Sequence, residues 1–88
     1  MVDQPTDLRT VIGTVMGEVL VRGPLAPDED FFEAGGDSLR AIEVLQRLGV
    51  HEEVGERLGT TEMQALLLEG IFDNASPSGL SSFVTANA

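Results

Sequence analysis

The sequence predicts an all-α domain, a small four-helix bundle with a long loop between the first and second helices. Three observations carry this reading. Apolar residues recur at three- and four-residue steps in several separate stretches, the spacing that puts them on one face of a helix. No stretch alternates with the period of two that a half-buried strand requires. The region from Gly23 to about Asp37 holds Pro24, Pro27, Gly35, Gly36 and the acidic run Asp28-Glu29-Asp30, and reads as a long loop. A length of 88 residues gives one domain over 1–88, with an ordered core expected at about residues 6–84.

The first helix is read from Leu8, Val11, Ile12, Val15, Val19 and Leu20. Thr6 or Asp3 would cap its start, and Asp7 suits the positive end of the helix dipole. Gly13 and Gly17 each weaken it by about 1 kcal/mol relative to Ala. Gly23-Pro24 is the expected stop. Phe31-Phe32, a pair of rings in a polar loop, is expected to pin that loop onto the helices.

A second helix starts at Asp37 or Ser38. Leu39, Ile42, Leu45 and Leu48 form its stripe, with Ala41 and Val44 beside it, and Gly49 is its stop. Val50 to Thr60 is polar, with room for a short helical turn. Thr61-x-x-Gln64 has the capping-box pattern and opens a third helix through Met63, Leu66 and Leu67 towards Ile71. Ser76-Pro77 reads as an N-cap followed by Pro at the first helical position. The last helix carries Leu80, Phe83 and Val84, and Thr85 to Ala88 are expected to fray.

Composition narrows the function. The hydrophobic fraction of 42% supports a packed core, and with four Phe and no Trp or Tyr that core must be mainly aliphatic. Cysteine is absent, which removes disulfides, thiolate metal sites and a thiol nucleophile, and suits a cytoplasmic location. No apolar run approaches the roughly 20 residues of a membrane span, and residues 1–5 do not begin a signal peptide. Fifteen acidic residues face five basic ones, all Arg, and the net charge of -10 argues against nucleic acid as a partner. It fits a monomer that meets basic surfaces on other proteins.

The informative stretch is Asp30-Phe31-Phe32-Glu33-Ala34-Gly35-Gly36-Asp37-Ser38-Leu39. Two glycines precede a serine placed where a loop becomes a helix. Unpaired backbone N–H groups and the helix dipole favour an anion there, so a phosphate on Ser38 would be stabilised. The same short motif also reads as a loop followed by a simple helix cap. Other signals are weak. His51 is the only histidine, so it cannot build a zinc site, and Ser38 has no Gly-x-Ser-x-Gly elbow for a catalytic triad. The run Asp28-Glu29-Asp30 lacks an oxygen ligand at the fifth loop position, where Phe32 stands, and a glycine at the sixth, where Glu33 stands. No catalytic residue and no metal ligand is expected.

The wider pattern Asp-x-Phe-Phe-x-x-Gly-Gly-Asp-Ser-Leu, with the late Ile71-Phe72 and Ser76-Pro77, resembles the peptidyl carrier proteins (thiolation domains) of nonribosomal peptide synthesis. These belong to the acyl carrier protein-like family, and the resemblance runs from about Leu8 to Val84. It implies that Ser38 receives 4′-phosphopantetheine covalently and that the chain carries an aminoacyl or acyl thioester without catalysing anything. It also implies that Asp37, Leu39, Arg40, Ala41, Ile42 and Val44 serve partner recognition. The implied partners are a phosphopantetheinyl transferase, an adenylation or other loading enzyme, and condensation or tailoring enzymes. Phe31-Phe32, Gly35-Gly36 and the weakly acidic second helix, with Arg40 and Arg47 around Glu43, lean towards the peptidyl branch. An acyl or aryl carrier of a polyketide-type pathway is the alternative, and an unmodified helical interaction module is the alternative of another class. The stretch between Ser38 and Ile71-Phe72 is longer than the family pattern, with the extra residues expected within Gly49 to Leu68, so the resemblance does not fix where the third helix is placed.

Overall fold

The computed structural model describes residues 7–87. Among them are five helices: α1 (Leu8–Val19), α2 (Ser38–Gly49), α3 (Gly55–Leu58), α4 (Thr61–Ile71) and α5 (Pro77–Asn87). Four are long, as the apolar periodicity requires, and α3 is a single turn. None is long and apolar enough to cross a membrane.

Asp7 caps α1, its carboxylate accepting from the Arg9 N–H at 3.1 Å. Thr6 and Asp3, the expected caps, lie outside the described residues. Leu8, Val11, Ile12, Val15, Met16 and Val19 are buried, so Met16 joins the expected stripe and Leu20 is left at its margin. The helix stops before Gly23-Pro24. Val21 adopts the left-handed φ of 58°, Val21 N–H donates to Glu18 at 3.2 Å, and Arg22 N–H donates to Gly17 at 2.9 Å. That is a Schellman turn with a valine where glycine is usual, and it satisfies the terminal carbonyls.

From this turn the chain doubles back along α1, and Leu25 N–H donates to the Gly13 carbonyl at 3.1 Å. The return explains the long loop. It lets α2 run beside α1 so that Arg47, near the end of α2, reaches Glu18, near the end of α1, at 3.8 Å. The glycines of α1 have their reason here. A Cβ on Gly17 would collide with the Gly23 carbonyl oxygen. Helix propensity alone says that Gly17→Ala gains about 1 kcal/mol. Overpacking against a backbone oxygen costs about 1–3 kcal/mol. We therefore expect Gly17→Ala to lower the urea midpoint, and a raised midpoint would show that the loop does not lie against α1.

Arg22 and Glu29 close the loop. The guanidinium donates two bonds to the carboxylate, at 2.7 and 3.2 Å, and Glu29 also accepts from Ala26 N–H at 3.0 Å. The Arg22 hydrogen bonds, and then the Ala26 N–H, hold the Glu29 carboxyl below its ordinary range. A depressed folded-state value means that the stabilisation is complete above the unfolded value, about 4.3, and is lost as pH falls through the folded value. Glu29→Gln should accordingly flatten the loss of thermal stability below about pH 4.3 and leave the profile near neutrality parallel to that of the wild type.

In α2 the buried residues are Ala41, Val44, Leu45 and Leu48, while Leu39 is 79% exposed and Ile42 is 40% exposed. The expected stripe through Leu39 and Ile42 is thus rotated, because the face turned to α1 and α4 is the one starting at Ala41. The stretch between α2 and α4 is less polar in effect than in composition. Val54 and Leu58 are buried in the core and anchor α3. The cap of α4 is Thr60, which accepts from Met63 N–H at 3.1 Å, rather than Thr61. Gln64 does not complete a capping box. Its amide donates instead to the carbonyls of Leu45 at 2.9 Å and Leu58 at 2.7 Å, tying α2 and α3 to α4.

Ser76 takes the capping position before Pro77, accepting from Gly79 N–H at 3.0 Å. In α5, Leu80 and Val84 are buried and Phe83 packs at the core margin. The helix continues through Asn87, whose side-chain amide donates to the Phe83 carbonyl at 2.8 Å. Thr85 to Asn87, where fraying is expected, are thus part of α5.

Candidate functional site

The segment that leads into α2 is built around Phe31. Its side chain is fully buried, and its N–H donates to Ala75, in the connection between α4 and α5, at 3.0 Å. Gly36 N–H donates back to the Phe31 carbonyl at 3.0 Å. A Cβ on Gly36 would collide with the Phe31 ring, so glycine is what lets the chain close over it. Asp30 accepts from Glu33 N–H at 2.9 Å, tightening the same turn. Phe32 packs edge-on to Phe31 and stacks on Phe72 at the end of α4, with ring centroids 5.7 Å apart. Phe31-Phe32 thus pins the loop as expected. The sequence marks Phe72 only by its place beside Ile71 and gives no sign of its contact with Phe32.

Asp37 is extended and caps α2. Its Oδ1 accepts from Arg40 N–H at 2.9 Å, and its Oδ2 pairs with the Arg40 guanidinium at 3.2 Å. Ser38 is the first residue of the helix. Its hydroxyl is exposed and makes no hydrogen bond to any described residue. The capping task that would explain a serine here is done by its neighbour. The backbone N–H groups of Ser38 and Leu39, at the head of α2, are likewise without an intrahelical acceptor. A group esterified to the Ser38 oxygen would displace no side chain and would lie where the helix favours negative charge.

The expected recognition residues divide. Asp37, Leu39 and Arg40 are exposed beside Ser38, and Ile42 follows one turn on. Ala41 and Val44 are fully buried against the core, so their side chains cannot meet a docked protein. Ile42 also lines a shallow groove of about 290 Å³ with Leu45 and Gln46, facing Gln64, Ala65 and Leu68 of α4.

The other polar signals serve the scaffold. His51 Nδ1 accepts from Glu53 N–H at 3.1 Å within its own loop. Glu29 and Asp30 are engaged in the turns described above. Among the described residues no three carboxylates or imidazoles converge as metal ligands would.

Residues 6–66 match the family model described as the phosphopantetheine attachment site, more than half of the chain. The chain belongs to this family. It is a non-catalytic phosphopantetheine carrier, and its prosthetic group is 4′-phosphopantetheine borne on a serine. Such carriers are modified by phosphopantetheinyl transferases and meet loading enzymes. No curated protein and no solved structure matches this carrier. The matched stretch ends within α4, so α5 and the Phe72 stack lie beyond it.

Proposed function

We propose that Ser38 bears the arm and that the carrier serves nonribosomal peptide synthesis, holding an aminoacyl or related acyl group between enzymes. One observation carries the assignment of Ser38: it is the only serine in the matched residues 6–66. Its exposed, unbonded hydroxyl at the head of α2 supports the same choice. When bound, the arm supplies a terminal thiol on which cargo rides as a thioester. The protein's own residues supply the anchor and a docking face, for which Asp37, Leu39, Arg40 and Ile42 are the accessible candidates. A helix that merely needed a cap at Ser38 has one in Asp37, which disfavours the unmodified interaction module.

The peptidyl reading rests on Phe31-Phe32, on Gly35-Gly36 and on the charge of α2, where Arg40 and Arg47 offset Glu43. The partners are then a phosphopantetheinyl transferase, an adenylation enzyme, and condensation or tailoring enzymes, met by a monomer in the cytoplasm. Intact mass after incubation with coenzyme A, magnesium and a broad-specificity transferase tests the first step. One phosphopantetheine increment is expected. Absence of the increment on folded, unmodified protein, with a known carrier labelled in parallel, would remove the assignment. Offering the holo protein to adenylation enzymes with amino acids and to a malonyl transferase with malonyl-CoA separates the peptidyl from the polyketide reading.

A further inference from the structure

We propose that Arg40 is the counter-charge of the arm's phosphodiester, its guanidinium bridging the Asp37 carboxylate and the phosphate once Ser38 is loaded. The inference rests on Ser38 being the attachment residue. The surroundings of Ser38 are strongly acidic. From Leu25 to Gln46 the chain holds Asp28, Glu29, Asp30, Glu33, Asp37 and Glu43, and Arg40 is its single basic residue. Loading adds a negative charge to the residue next to Asp37. The head of α2 offsets part of that charge through its free N–H groups, and one cation stands near enough to offset more.

The neighbouring arginines are committed elsewhere. Arg22 makes a two-bond pair with Glu29. Arg47 pairs with Glu43 at 2.8 Å and reaches Glu18, and it stands about 14 Å from Ser38 along the helix axis. Arg40 is two residues after Ser38, and an outstretched side chain there would leave the helix roughly 200° around from the serine. It does not stretch out. Its Nη1 lies 3.2 Å from Asp37 Oδ2, so the guanidinium is folded back over the residue that precedes Ser38. That pair is about half exposed. A guanidinium has five N–H donors, and this contact uses one, which leaves a fork suited to phosphate oxygens. Asp37 therefore has two tasks: one oxygen caps α2, and the other holds a cation at the residue that precedes the one to be modified.

The test compares wild type, Arg40→Gln and Arg40→Lys before and after loading, with the phosphopantetheine increment verified by mass. Among the five arginine side-chain resonances, the one missing in Arg40→Gln should shift on loading, its guanidinium protons exchanging several-fold more slowly with water. The other four should stay in place. The phosphorus resonance of the loaded protein should move between wild type and Arg40→Gln, Arg40→Lys should fall between them, and sodium chloride should shrink the difference. An increment accompanied by an unmoved Arg40 resonance and one common phosphorus shift would overturn the proposal and leave Ser38 as the attachment residue. No increment on wild type would overturn both.

Discussion

Ser38→Ala folds as stably as the wild type and accepts no phosphopantetheine. The two halves of this expectation have separate grounds. The hydroxyl makes no hydrogen bond to a described residue, the side chain is exposed, and alanine is the best helix former, so stability should change by no more than about 0.5 kcal/mol. The contrast is Asp37→Ala, which deletes the cap and should cost about 1 kcal/mol. Loading, on the proposed assignment, needs the Ser38 oxygen itself. Intact mass and a urea titration on the same samples read both effects. A Ser38→Ala protein that still gains one increment would move the site to Ser76, Ser78, Ser81 or Ser82, all outside the matched stretch.

Phe31→Ala should be the most damaging single truncation in the loop. The ring is fully buried, closes against Gly36 and packs edge-on to Phe32. Replacing a buried Phe by Ala costs about 3–5 kcal/mol through lost transfer energy and the cavity left behind. Small domains are stable by about 5–15 kcal/mol in all, so the variant should lie near the edge of folding. Its urea midpoint should fall steeply, while Phe32→Ala, at a half-buried position, should lose much less. Equal losses at the two positions would mean that the Phe32–Phe72 stack, and not the Phe31 socket, anchors the approach to α2.

Much of this was legible in the residues, because the signals that define it are local. Apolar spacing marks α1 and α2, Ser76-Pro77 marks the start of α5, and the glycines, Asp37 and Ser38 mark the candidate site. What was not legible depends on neighbours far away in sequence. Four apolar residues at three-residue steps suggested a buried face through Leu39 and Ile42. A second set, Ala41, Val44, Leu45 and Leu48, describes an adjacent face of the same helix, and only the positions of α1 and α4 decide between them. Gly13 and Gly17 read locally as weak points, since the returning loop that needs them cannot be seen in the helix itself. Gln64 likewise looked like half of a capping box. Its amide reaches the carbonyls of Leu45 in α2 and Leu58 in α3, a role set by packing rather than by its own turn.

The loop that prepares Ser38 is held by residues made much later. Phe31 N–H finds its acceptor in Ala75, and the Pro27 carbonyl accepts from Ser78 N–H at 2.8 Å. Leu80 and Val84 then fill the core. During synthesis, a chain that has emerged only as far as the matched residue 66 already displays its serine, but it lacks the partners that fix the turn before it. An order of assembly is expected from this: the loop before Ser38 takes its final shape only once α5 has left the ribosome and docked. Attachment at Ser38, as proposed, would then follow the docking of α5, and a product cut before residue 75 would carry the serine without the contacts that hold its loop.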